Sequence, residues 1–205
     1  MTGYESIYNG LLPRLRGLDF SEAAERLGLT LISPDIIRMR FIGSEYEIRR
    51  GEIVSLDPEA YTNVNFLSVA AYYVLSGGSK AQTGEFLPLR SFSEIKLSGA
   101  MSNVDWMSDP LCREYSGDDN LAAAAVSLGG ISVGEAEWEF AVLPKVSMRL
   151  RFIPADDEFP CETKISFSSN AGNYLEFECL AFLQGCFVKA MCEKMRVIKN
   201  FTPSS

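Results

Sequence analysis

There is no histidine anywhere in the 205 residues, and that absence removes more chemistry than any residue present supplies. Histidine is the side chain whose ordinary pKa lies nearest neutrality. Without it, a His-dependent triad, a Cys–His dyad, a His-ligated zinc, a haem on a proximal His and a phospho-His relay are excluded within this chain. Acid–base work is left to carboxylates, Lys, Tyr or Cys. Long apolar runs are lacking too: none reaches the roughly 18 residues that a membrane span needs. The opening MTGYESIYNG has no basic segment followed by an apolar one, so a cytoplasmic protein without a membrane partner is expected. Basic stripes are equally scarce. Between Asp105 and Glu139 eight acids stand against one base, Arg113. A polyanion would be repelled there, and no Lys/Arg stripe interleaved with aromatics compensates elsewhere. Nucleic acid is therefore not expected as a partner.

Metal-binding cysteine spacings are missing as well. Cys112, Cys161, Cys179, Cys186 and Cys192 contain no C-x-x-C pair and no zinc-ribbon or iron–sulfur pattern. Their odd number, with no secretion signal, predicts reduced thiols, and Cys161 at a strand start is the one expected to be reachable. Cys179 and Cys186 stand seven apart on the predicted last helix, which makes them weak candidates for a soft-metal or redox site. Core filling is the commoner role for free cysteine.

What is present reads as an ordinary globular chain, 47% hydrophobic and 22% charged, predicted to form a single domain over residues 1–205. The clearest folding signal runs from Trp138 to Met195. Trp138, Phe140 and Val142 alternate on one strand and Met148, Leu150 and Phe152 on the next. A three-residue turn at Leu143-Pro144-Lys145 sets Glu139 opposite Arg149 and Glu137 opposite Arg151. Thr163, Ile165 and Phe167 continue the inward face on a third strand. A helix follows, with Leu175, Cys179, Phe182, Leu183, Cys186, Phe187 and Ala190 at helical spacing.

Upstream, the spacing predicts a broken or short helix before Leu18, interrupted at Gly10 and Pro13, and a second one capped by Asp19 and stopped at Gly28. A meander through Ile37, Met39, Phe41, Tyr46, Ile48 and Ile53 follows, with a turn at Gly43-Ser44 that faces Arg40 towards Glu47. Phe66, Val69, Ala70, Tyr73 and Val74 mark a buried helix stopped at Gly77-Gly78. The stretch GGSKAQTG lacks the leading glycine of a phosphate loop and is read as a flexible connector. Short helices are expected from Ser91, and from Asp118 or Asp119 as cap. The class is α+β: a mainly antiparallel sheet from two three-stranded meanders, with helices packed on it.

The sequence resembles an uncharacterised family of small domains of anaerobic bacteria and archaea, described as a domain of unknown function. The resemblance rests on E-F-A-V-L-P-K-V (Glu139 to Val146), A-D-D-E-F-P (Ala155 to Pro160), I-S-F (Ile165 to Phe167) and Tyr174-Leu175, with a weaker echo at Thr83-Gly84-Glu85. It spans most of the chain and brings no catalytic residues with it. Some relatives carry a cysteine-rich iron–sulfur segment that this chain does not match. The resemblance implies a setting in anaerobic corrinoid or metallocofactor metabolism.

The candidate binding residues are the loop acids Asp156, Asp157 and Glu158, with Arg149 and Arg151 as anion contacts. Consecutive carboxylates suit a hard cation or an acid/base pair, and Phe159-Pro160 is expected to pin the loop to the body. The functional expectation is a binding or accessory domain for a small molecule or protein partner. The rivals are an enzyme using the loop carboxylates and a metallocofactor carrier using cysteines. No particular cofactor is indicated.

Overall fold

The computed structural model describes residues 3–93 and 109–201. Helices α1 (Gly3–Arg16) and α2 (Phe20–Leu27) precede strands β1 (Thr30–Ser33), β2 (Ile36–Phe41), β3 (Ser44–Arg49) and β4 (Glu52–Ser55). Helix α3 (Val64–Leu75), strand β5 (Phe86–Pro88) and a 3-10 turn (Leu89–Phe92) come next, then α4 (Asp109–Glu114) and α5 (Asp118–Ser127). The last part holds β6 (Ile131–Gly134), β7 (Glu137–Leu143), β8 (Val146–Ile153), β9 (Glu162–Ser168), a 3-10 turn (Ala171–Asn173) and α6 (Phe177–Phe201). The fold is α+β, but the two meanders do not share one sheet. β1-β2-β3-β4 and β5-β9-β8-β7-β6 are separate antiparallel sheets of four and five strands.

In the five-stranded sheet Glu139 pairs with Arg149 and Glu137 with Arg151, as the charge pattern predicts. The turn is shorter than expected, since Leu143 already pairs with Val146. An irregularity between Ala141 and Leu143 restores the register upstream. Trp138, Phe140, Met148, Leu150, Phe152, Ile165 and Phe167 are all buried. Both sheets and the helices feed one hydrophobic cluster.

The first meander differs in register. The turn is Ile42-Gly43, with φ of 43° and 82°, so Arg38 faces Glu47 and Arg40 faces Glu45. Left-handed backbone at both central residues suits a two-residue hairpin, but for Ile it costs steric energy. Burial offsets that cost: the Ile42 side chain is 4% exposed. Its N–H also donates to the Val142 carbonyl at 3.0 Å, so the same residue that strains the turn joins the two sheets.

Helix α1 runs unbroken through Gly10 and Pro13. Pro13 and Asn9 lie on its exposed side, where solvent can serve the carbonyl that proline leaves without a partner. Asp19 caps α2, accepting from the Glu22 N–H at 3.0 Å, and Gly28 ends it at φ 69°. α3 ends differently from expectation, at Ser76 in extended backbone. α5 starts at Gly117 with no side-chain cap, and Asp118 instead accepts from the Tyr115 hydroxyl at 2.5 Å. The helix expected from Ser91 runs into residues outside those described.

α6 buries Leu180, Leu183, Gln184, Phe187, Met191 and Met195. Phe187 meets Phe140 of the sheet edge-on at 4.7 Å. Leu175 precedes the helix, and Phe182 turns outward at 38% exposure.

Candidate functional site

Asp156, Asp157 and Glu158 lie in the loop between β8 and β9, and that loop is held differently from the way the sequence suggests. Phe159 is 65% exposed, so it does not pin the loop. The loop is braced from within, by Asp156 accepting from the N–H groups of Glu158 at 2.9 Å and Phe159 at 2.7 Å. Those bonds hold the Asp156 carboxyl below the usual range. Arg149 pairs with Glu139 at 3.0 Å and lies over the Phe86 ring at 4.0 Å. Arg151 is exposed on the same outer face of β8. Among the described residues no ion pair joins either arginine to the loop acids.

The cysteines divide into two sets. Cys112 and Cys161 are joined in a disulfide, which corrects the expectation of reduced thiols for that pair. Cys179, Cys186 and Cys192 are free. Burial, with Glu176 and Glu178 nearby, pushes the Cys179 thiol up to about 11. Burial takes Cys186 to about 12 and, with Glu114 adding to it, Cys192 to about 11. All three stay protonated at neutral pH, the wrong form for a nucleophile or soft-metal ligand. Cys179 and Cys186 also open on different clefts. Among the described residues no three of His, Cys, Asp or Glu are grouped to hold a metal ion.

A broad concavity lies elsewhere, between α1, α3 and α6. One cleft, of about 650 Å³, is lined by Ile7, Val69, Leu75 and Tyr174, with Ser68, Tyr72 and Arg14 among its polar groups. A second, of about 740 Å³, is lined by Val64, Phe66, Pro110, Val188, Cys186 and Cys192. Tyr4, Asn65 and Phe182 border both. The Tyr4 and Phe182 rings meet edge-to-face at 5.5 Å, so the two clefts form one trough crossed by a half-exposed aromatic pair.

The two halves differ in how their polar groups are used. In the second, the charged side chains are paired: Arg196 with Glu114 at 2.6 Å, and Glu193 with Lys189 and the Tyr61 hydroxyl. In the first, Ser68 is only 9% exposed and lines the wall. Ser76 also lines this half, and its hydroxyl is buried without a partner. Arg14 makes no ion pair among the described residues. A buried hydroxyl without a partner is uncommon and costly, and a polar group entering the cleft would satisfy it.

The stretch GGSKAQTG, expected to be a flexible connector, is tied down beside this half. Asn173 Oδ1 accepts from the N–H groups of Ser79 at 2.8 Å and Lys80 at 3.1 Å. The Lys80 carbonyl accepts from the Tyr174 hydroxyl at 2.6 Å and Asn170 Nδ2 at 3.1 Å. Arg26 reaches the Ser76 carbonyl. The cleft wall at Ser76, Gly77 and Tyr174 is thereby fixed from behind.

Sequence reasoning missed this trough because it treats α1 as broken and places Phe182 in the core. The usable signal was Tyr4, a large aromatic that the predicted stripes do not absorb.

Residues 19–190 match the model of a family described as a domain of unknown function (DUF3786). No curated protein matches the chain, and no solved structure matches it.

Proposed function

We infer that this chain, which belongs to the DUF3786 family of domains of unknown function, is a binding domain that holds a small amphipathic molecule in the trough between α1, α3 and α6. The observation that carries this reading is the asymmetry of the trough. One half presents the buried, unpartnered Ser76 hydroxyl beside Ser68 and Arg14, and the other is largely apolar with Arg196 and Glu193 already paired. A ligand with a hydrogen-bonding end and an apolar body matches both halves.

Catalysis by carboxylates has less support. Among the described residues the carboxyls whose pKa moves, Glu47, Asp57, Glu114 and Asp156, all move down, whereas a general acid at neutral pH needs one raised. We expect no nucleic-acid partner, because the acidic stretch before Glu139 would repel a polyanion. Among the described residues no helix is long and apolar enough to cross a membrane. The setting implied by the resemblance makes organic cofactor precursors of anaerobic metabolism the first molecules to try.

Gly185 supplies the test. It lines the second cleft, and a Cβ built there meets nothing within 4 Å, so Gly185→Trp fills the trough without a clash at its root. Native mass spectrometry of anaerobically purified protein, followed by titration with the neutral dye Nile red, is expected to show a bound species in the wild type. That species should be lost in Gly185→Trp at unchanged melting temperature. Equal occupancy in both proteins would overturn the reading.

A further inference from the structure

The Cys112–Cys161 bond spans 49 residues and ties α4 to the residue before β9. α4 is six residues long, too short to persist on its own propensity. Three other attachments hold it. Leu111 is fully buried, Glu114 pairs with Arg196 of α6 at 2.6 Å, and the Tyr115 ring just beyond lies 4.5 Å from that of Phe152. Pro110, on the same short helix, is a wall of the second cleft. The covalent link therefore adds to these three attachments in fixing a short piece of the trough wall, and it is the one of the four that a reductant can open. Both bonded cysteines are half-buried, so a small dithiol can reach them.

We propose that the Cys112–Cys161 disulfide is a redox latch on the second cleft: bonded, it holds α4 in place as a wall, and reduced, it lets α4 loosen and the cleft lose its shape. This rests on the binding function proposed above. The step is thiol–disulfide exchange with a dithiol. One thiolate of the reductant attacks a protein sulfur, giving a mixed disulfide and a free protein thiolate. The second reductant thiolate then displaces the remaining protein sulfur, and protons complete two cysteine thiols. Two electrons pass to the protein, and the dithiol leaves as its cyclic disulfide. Exchange with a small-molecule disulfide reverses the step. Cys179, Cys186 and Cys192 do not compete, because their thiols are held protonated.

Loosening should act through population. If reduction leaves the competent arrangement of α4 only about a third occupied, apparent affinity falls about threefold. The full chain is treated with excess dithiothreitol or left oxidised, free thiols are counted, and Nile red binding and amide hydrogen exchange over Leu111–Tyr115 are measured. The expected result is a rise in free thiols from three to five, weaker dye binding and faster exchange in α4. The Cys112→Ser/Cys161→Ser variant should match the reduced protein and ignore dithiothreitol. Unchanged binding and exchange with five thiols titrated would overturn the latch and leave the trough reading intact. Five free thiols before any reductant would also overturn it. If the dye binds in neither state the trough reading fails, and the exchange data alone decide: faster exchange on reduction supports the latch, equal exchange sinks it.

Discussion

Gly77 and Gly78 follow one another after α3 and read alike in sequence, yet their surroundings differ. A Cβ on Gly77 meets nothing within 4 Å, whereas one on Gly78 would collide with the Tyr174 ring and come within 2.6 Å of the Asn173 carbonyl. The pair looks like a helix stop, but neither residue has the positive φ of such a cap. Gly78 is required by close approach, which no local pattern reveals. Gly78→Ala is expected to destabilise by about 1–3 kcal/mol. Gly77→Ala should be neutral to about 1 kcal/mol more stable. Urea unfolding of the two variants separates them, and equal effects would refute the distinction. Glu47 gives a second prediction at this scale. Hydrogen bonds from Arg38 and Arg49 hold its carboxyl below the ordinary 4.5. A carboxyl depressed in the fold contributes stability that is present above its unfolded pKa and lost as pH falls through the folded one. Asp57, Glu114 and Asp156 act with the same sign. The urea midpoint should therefore drop between about pH 6 and about pH 3, and less steeply in Glu47→Gln. An identical drop in that variant would mean Glu47 is not a contributor.

The hairpin β2–β3 shows how far an element can be read. Its alternation of Ile37, Met39, Tyr46 and Ile48 is plain in the sequence, and so are its two strands, because burial on one face demands a period of two. Its register was not legible. Gly43 is legible as a turn residue, but Ile42 beside it is not, because a β-branched residue disfavours left-handed backbone. Contact with the other sheet, invisible locally, overrides that preference. The two registers are separable by double-mutant cycles. Coupling should appear between Arg38 and Glu47, which bond at 2.9 Å, and be absent between Arg40 and Glu47. The reverse result would restore the turn at Gly43-Ser44. In the second hairpin the opposed charges Glu139 and Arg149 specify the pairing although the turn is shorter than the spacing predicts, because two acids and two bases admit few alignments. The disulfide was illegible for a different reason: five cysteines without a motif carry no pairing information, and Cys112 and Cys161 meet only because α4 folds back on the start of β9.

At the scale of the molecule, two sheets that are separate in hydrogen bonding share one interior. Ile37, Met39 and Tyr46 of the first and Phe140, Leu150 and Phe167 of the second belong to the same buried cluster. The seam is where β2 adjoins β7 and the Ile42 N–H meets the Val142 carbonyl. A core continuous across both sheets should melt as one unit, since exposing either sheet strips apolar cover from the other. We therefore propose a single cooperative domain, and Ile37→Ala tests it. Ile37 is fully buried in the four-stranded sheet, and its truncation should cost about 2–5 kcal/mol. Trp138 is in the five-stranded sheet, 8% exposed, and in a Trp106→Phe background its fluorescence reports on that sheet alone. If the core is shared, the substitution lowers the Trp138 midpoint and the far-ultraviolet dichroism midpoint by the same amount of urea, and the two curves stay superimposed. If the dichroism curve splits while the Trp138 midpoint holds still, the sheets unfold independently, and the trough must then be assigned to whichever unit keeps α1, α3 and α6 together.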